Sequence, residues 1–262
     1  MIKVGVFGAG GRMGATVCAA VHADPELELV AAVDPHHAGI DLGQVGVPGT
    51  KLQMAAKPQA LLDAGAEVAV DFTVIDAARE NLRFCAANDV HAVVGTTGFS
   101  DAELAELGSL FDASAANAMI APNFAIGAVL MMRFAELAAP YFDTAEIIEL
   151  HHDAKIDAPS GTAVHTAKRI AAASKDWAAD PTTTIVAAGA RGATVDGIPV
   201  HSVRMRGMVA HQEVVLGTTG QSLNIRHDAY DRSSFMPGVL LAAKHVAKRP
   251  GLTIGLEAIL GV

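Results

Sequence analysis

Reactive side chains are densest between Glu149 and Thr162, in the run Glu-Leu-His-His-Asp-Ala-Lys-Ile-Asp-Ala-Pro-Ser-Gly-Thr. Two imidazoles, His151 and His152, precede a primary amine, Lys155, and a small-residue turn, Ser160, Gly161 and Thr162. A turn of that kind opening a helix presents backbone N–H groups and two hydroxyls to a carboxylate or phosphate. Lys155 and the imidazoles add positive charge against an anionic substrate. A positioned acid is also what a hydride acceptor needs as negative charge develops in the transition state. Two simpler readings compete. His151, His152, Asp153 and Asp157 are all possible metal ligands, but adjacent histidines on a strand point to opposite faces. No H-x-x-x-H or H-E-x-x-H spacing occurs, so no metal is expected. An N-cap serine behind a solvated loop explains the turn, but not two histidines and a lysine together.

A second cluster is Gly8-Ala9-Gly10-Gly11-Arg12-Met13-Gly14, between a short apolar run and a helical pattern. Glycine permits the tight turn and the close approach of backbone N–H groups to a pyrophosphate at the helix start. Gly8, Gly11 and Gly14 give G-x-x-G-x-x-G rather than the strict G-x-G-x-x-G. Asp34 closes the next apolar run about 20 residues on, where a ribose-binding acid belongs. The alternative is a tight turn followed by an unrelated strand-end acid. A carboxylate there accepts from ribose hydroxyls and repels a 2′-phosphate. Pro35 follows it, so no adjacent arginine grips that phosphate, although Arg12, His36 and His37 are near. NADH is expected to be favoured, with NADPH as the other possibility. Asp71-Phe72-Thr73 and Gly95-Thr96-Thr97-Gly98 end two further apolar runs, with small hydroxyl residues suited to the same crevice.

These clusters need elements to hold them. Short apolar runs at Ile2–Phe7, Leu27–Val33, Val68–Phe72, His91–Val94 and Met119–Ala121 alternate with helical patterns at Met13–Val21, Ala77–Ala87 and Asp101–Leu110. That alternation predicts a parallel sheet with helices on both faces. Helices are then expected at Ala128–Ala139 and Thr162–Ala173. β-prone runs follow at Ala145–Leu150, Ile185–Ala187, Ile198–Arg204, Glu213–Gly217 and Ser222–Arg226. Phe235–Ala247 and Leu252–Leu260 return to the first pattern. The expected fold is α/β, a Rossmann-like doubly wound parallel sheet with an inserted α+β domain. The expected boundaries are 1–123 with 231–262 for dinucleotide binding, and 124–230 for substrate binding.

Composition bounds the function. The 262 residues are 51% hydrophobic and 18% charged, enough for large cores and against disorder. A net charge of −9 argues against a general nucleic-acid binder. No apolar stretch approaches the roughly 18 residues of a membrane span. The two cysteines, Cys18 and Cys85, read as buried thiols. The start, MIKVGVFG, lacks a signal-peptide pattern, so a cytoplasmic protein is expected.

The segments VGVFGAGGRMG, VDFT, VVGTTGF, APNFAIGAVL, ELHHDAKIDAPSGTA and GIPVHSVRMRGMVAHQEV together resemble the bacterial dihydrodipicolinate (4-hydroxy-tetrahydrodipicolinate) reductases, and APNFAIGAVL and IPVHSVR resemble the actinobacterial branch. Residues 35–58 match that family poorly, and Asp34 lacks the arginine that follows it in some members. The resemblance implies reduction of 4-hydroxy-tetrahydrodipicolinate to tetrahydrodipicolinate, in diaminopimelate and lysine biosynthesis, with NADH or NADPH. By resemblance the backbone of Gly8, Ala9, Gly10, Gly11, Arg12 and Met13 holds the dinucleotide with Asp34, Gly95, Thr96, Thr97, Ala121, Pro122, Asn123 and Phe124. His151 would be the acid/base residue and Lys155 the proton donor. His152, Ser160, Gly161 and Thr162 would hold the cyclic dicarboxylate. A homotetramer built on the inserted domain's sheet is also implied. Rival readings are a dehydrogenase of the same architecture acting on another amino-acid precursor, and a cofactor-sensing regulator, which would need neither His151 nor Lys155.

Overall fold

The computed structural model describes every residue from Met1 to Val262. The chain forms two compact units, Met1–Ile126 with Arg232–Val262, and Gly127–Asp231. The first opens with β1 (Ile2–Phe7), whose last four residues are buried, as a strand covered on both faces requires. There follow α1 (Arg12–Ala23), β2 (Leu27–Val33), α2 (Gln59–Asp63), β3 (Val68–Asp71), α3 (Ile75–Ala87), β4 (His91–Val94), α4 (Asp101–Asp112) and β5 (Ala118–Ile120). Ser100 and Glu103 start α4 with a reciprocal cap, each accepting from the other's backbone N–H. The five-residue α2 has no sequence expectation behind it, because a helix that short shows no period. It is held by Leu61, which is fully buried in the core with Phe7, Leu82 and Phe111. Between β2 and α2 the chain is pinned by bridges pairing Val33 with Ala55 and Asp41 with Gln53.

The second unit comprises α5 (Ile126–Ala138, from Gly127 on), β6 (Thr144–His151), α6 (Gly161–Ala173), β7 (Ala193–Val195), β8 (Ile198–Arg204), β9 (Ala210–Thr218) and β10 (Gln221–Ala229). Its mixed sheet runs β10-β9-β6-β8-β7, with only β6 and β8 parallel. Alternation along β6 buries Ala145, Ile147 and Glu149 on the face that carries α6. Ile148 and Leu150 point the other way and are only half-buried, as are Val203 of β8 and Val215 of β9. One expectation fails here. Ile185–Ala187 forms no strand: its two β-branched side chains are exposed and find no sheet edge. The edge is taken by β7, which the Asp196-Gly197 turn folds onto β8. Both turn residues have positive φ, 48° and 87°, the backbone that a two-residue hairpin demands.

The chain then re-enters the first unit through α7 (Met236–His245), β11 (Leu252–Ile254) and α8 (Glu257–Leu260). The six-stranded parallel sheet has the order β11-β5-β4-β3-β1-β2. No helix of either unit is long and apolar enough to cross a membrane.

Candidate active site

In the first unit the sequence-singled residues gather at the carboxyl ends of β1, β2, β4 and β5. Gly8 turns the chain with φ +70° after β1. Gly8 and Ala9 donate to Val33 O, and Gly11 donates to Gly8 O, so these N–H groups are used within the turn. Arg12 and Met13 open α1, where N–H groups have no intrahelical acceptor, and no side chain caps that end. They are the donors left for an anion. A Cβ on Gly11 would meet only Gly8 O, at 3.2 Å, and Gly11 borders a cavity of about 440 Å³ with Gly8, Asp34, His36, Phe72 and Thr73.

Asp34 is nearly buried and bonded by its own chain. Its Oδ2 accepts from Gly10 N at 3.0 Å, and its Oδ1 accepts from His36 N at 3.0 Å. His37 Nδ1 stands 3.0 Å from Oδ1. Burial opposes the charge, but His37 and the two N–H groups outweigh it and hold the carboxyl below its ordinary value. The acid therefore shapes the glycine turn as well as facing the cavity.

Thr96 is buried, and its hydroxyl donates to Thr73 O at 2.8 Å, while Thr97 is exposed. Both line a smaller cavity of about 160 Å³ with Pro122. Ala121 N–H donates to Val94 O, and Asn123 Oδ1 accepts from Ala125 N. Phe124 packs its ring on Phe72, with centroids 5.7 Å apart, so its side chain is core and only its backbone is left to serve a ligand. Sequence reasoning missed Asn81. It donates to the buried Asp71, which also accepts from the N–H and hydroxyl of Thr73, and so fixes the loop after β3. Burial pushes the Asp71 carboxyl up, against the pull of those three bonds.

In the second unit β6 delivers His151 at its last position. Ser160 caps α6, its Oγ accepting from Ala163 N at 3.2 Å. Between them lie the exposed His152 and the partly buried Lys155, whose ammonium meets Asp157 at 2.7 Å. Gly161 is exposed and Thr162 half-buried, so the turn is open at its surface. His151 Nδ1 lies 2.5 Å from Glu149 Oε2. Burial lowers the imidazole's pKa; Glu149 raises it, Lys155 and Arg204 lower it again, and the balance lies below the ordinary value. Arg204, which received no role from sequence, clamps Glu149 with both terminal nitrogens at 2.8 Å. Its sequence signals are a place in a β-prone run and in the IPVHSVR segment of the resemblance, and neither points to a partner on β6.

Comparison with known proteins covers nearly the whole chain. Residues 2–124 match the family model described as dihydrodipicolinate reductase, N-terminus, and residues 127–260 match the one described as dihydrodipicolinate reductase, C-terminus. A 4-hydroxy-tetrahydrodipicolinate reductase of Corynebacterium aurimucosum is 53% identical, covering 100% of this chain and 99% of its own length. One from Mycobacterium sp. (strain KMS) is 50% identical over 99% of each chain. Among solved structures, dipicolinate-bound dihydrodipicolinate reductase from Paenisporosarcina sp. TG-14 superposes with a TM-score of 0.88, at 42% identity and 99% coverage of both chains. With both halves matched, in order and at that identity, the chain belongs to the dihydrodipicolinate reductase family.

Proposed function

We propose that the chain is a 4-hydroxy-tetrahydrodipicolinate reductase, an oxidoreductase of diaminopimelate and lysine biosynthesis that uses NAD(P)H. The observation that carries this is the convergence, at the end of β6, of His151, Lys155 and the capped Ser160 turn. A sensor of cofactor has no use for it. Following NADH oxidation with the condensation product of aspartate semialdehyde and pyruvate tests the reading. Oxidation of the cofactor that depends on this compound is expected, and a chain that binds NADH yet leaves it unoxidised refutes it.

Residues 1–123 with 231–262, which differ by a few residues from the first unit (Met1–Ile126 with Arg232–Val262), would hold the dinucleotide. The open space at Gly11 and the uncapped start of α1 fit a pyrophosphate, which Arg12 and Met13 N–H groups would bind. Asp34 would take the ribose, with Gly95–Thr97 and Ala121–Phe124 lining the far end. Bound there, the dinucleotide supplies the hydride. In residues 124–230, Ser160, Gly161, Thr162 and His152 would hold the substrate carboxylates. Lys155, an ammonium kept near by Asp157, would give the proton, and His151 would exchange one through Nε2. Binding of a dianion adds negative charge beside His151 and favours its protonated form.

Asp34 supports a preference for NADH over NADPH, since its charge opposes a 2′-phosphate. Asp34→Ser is expected to change the ratio of kcat/KM for the two cofactors by about tenfold toward NADPH, or about 1.4 kcal/mol. Steady-state kinetics with each cofactor checks this, and an unchanged ratio removes Asp34 from the ribose. Because Asp34 also ties Gly10 and His36, some loss with both cofactors accompanies the change. The half-buried apolar side chains of Ile148, Leu150, Val203 and Val215 on one sheet face support a homotetramer built on that face. Light scattering is expected to give the mass of four chains, and a monomer at micromolar concentration excludes it. Use of NAD(P)H and of an amino-acid precursor supports a cytoplasmic enzyme, as the sequence leads one to expect.

A further inference from the structure

Glu149 has 0% relative exposure, the lowest of any charged side chain in the second unit, and the reaction above gives it no part. It precedes His151 by two residues on β6, so both side chains leave the strand on one face. Both of its oxygens are filled. Oε2 lies 2.5 Å from His151 Nδ1 and accepts from Arg204 Nη1 at 2.8 Å. Oε1 accepts from Arg204 Nη2 at 2.8 Å and from Ser160 N at 3.1 Å. One carboxylate therefore joins the imidazole to the turn that opens α6. Arg204 extends the assembly by donating to Asp157 O at 2.7 Å, which ties in the loop carrying Lys155.

We infer that Glu149 is a positioning residue of the reductase, which fixes His151 as the Nδ1-protonated tautomer and locks that ring to the Ser160 turn. This rests on the role proposed for His151. An ionised carboxylate can only accept, so the nitrogen facing it carries the hydrogen and Nε2 is the atom that exchanges its proton. Glu149 is held ionised: burial pushes its carboxyl up, but Arg204, Ser202 and His151 bring it below the usual range. A plain structural ion pair between β6 and β8 accounts for Arg204, which lies opposite His151 in the ladder. It leaves unexplained why His151 and Ser160 N–H meet on the same carboxylate. The charged groups facing His151 are Glu149 on its own strand, Arg204 on β8, and Lys155 of the loop with its partner Asp157. Glu149 is the anion in direct contact, so loss of its charge lowers the affinity of His151 for a proton.

The test is a ¹⁵N NMR titration of the ligand-free protein, joined to pH-dependent kinetics. In the wild type the neutral His151 ring is expected to carry its hydrogen on Nδ1. In Glu149→Gln its titration midpoint is expected to fall by about one unit. The limb of the kcat/KM profile that follows His151 moves with it, and kcat drops at least about tenfold. Glu149→Asp keeps the charge on a shorter arm and is expected to restore the midpoint but only part of kcat. A neutral His151 protonated on Nε2 overturns the inference, and so does an unmoved midpoint in folded Glu149→Gln. The wild-type tautomer decides the matter should Glu149→Gln fail to fold around an unpaired Arg204. His151→Gln separates this inference from the reading beneath it. Full activity in His151→Gln with an Nδ1-protonated wild type refutes the acid/base role alone. An inactive His151→Gln with an Nε2-protonated wild type refutes the positioning role alone.

Discussion

Replacing Lys155 by alanine is expected to lower turnover by roughly 10²–10⁴-fold, the range that general acid catalysis covers, and to leave the dinucleotide Kd unchanged. The lysine lies in the loop after β6, in a different unit from the glycine turn, which is why the two effects should separate. Its ammonium is already oriented by Asp157 at 2.7 Å, so little ordering is left to complete when substrate arrives. Alanine removes both the proton and the charge beside the substrate carboxylates, so KM should rise as well. Fluorescence titration with NADH and steady-state kinetics give the two halves of the result. A turnover loss smaller than about tenfold takes Lys155 out of the donor role. His151→Gln should resemble Lys155→Ala. His152→Gln should mainly raise KM, because His152 is exposed and has no acid/base role in the proposed reaction. Equal activity of the two histidine variants contradicts the division of labour between them.

What the sequence made legible follows from which residues carry information in their type. Glycines at Gly8, Gly11 and Gly14 and the cluster around His151 announce themselves, because few other residues can turn a backbone so tightly or move a proton. The wound sheet was legible for a related reason: short apolar runs alternating with helical periods have one common solution. Partners were not. The bonds from Gly10, His36 and His37 that hold Asp34 depend on how the chain after β2 folds back, which its spacing does not encode. Glu149 stood in plain view beside His151, yet its burial under Arg204 depends on β8 lying parallel to β6. Ile185–Ala187 misled for the opposite reason. β-branched residues favour a strand only where an edge is available, and Asp196-Gly197 gave that edge to another segment.

Gly14→Ala is expected to destabilise the protein by about 1–3 kcal/mol and to weaken the dinucleotide Kd at least about tenfold. Helix propensity alone points the other way, since alanine inside a helix is favoured over glycine by roughly 1 kcal/mol. Gly14 is buried in the first turn of α1, and a Cβ there would stand 2.0 Å from Gly8 O, 2.6 Å from Gly8 C and 2.9 Å from Ala9 Cα. All three are backbone atoms of the glycine turn and cannot rotate aside as a side-chain tip can. α1 must back away from β1 instead, which strains the Gly11 N–H bond to Gly8 O, 3.0 Å long, and displaces the N–H groups of Arg12 and Met13. Steric cost therefore exceeds propensity, and the loss falls on the anion-binding end of the helix. Gly108 supplies the comparison. It lies in α4, takes no positive φ, and a Cβ there would meet nothing within 4 Å. Gly108→Ala is thus expected to stabilise by up to about 1 kcal/mol and to leave the Kd for NADH alone. Thermal melts of both variants with NADH titrations decide the point. A Gly14→Ala protein that melts with the wild type and binds NADH equally well would show that α1 can shift without disturbing the turn, and the assignment of its first N–H groups to the pyrophosphate would fall.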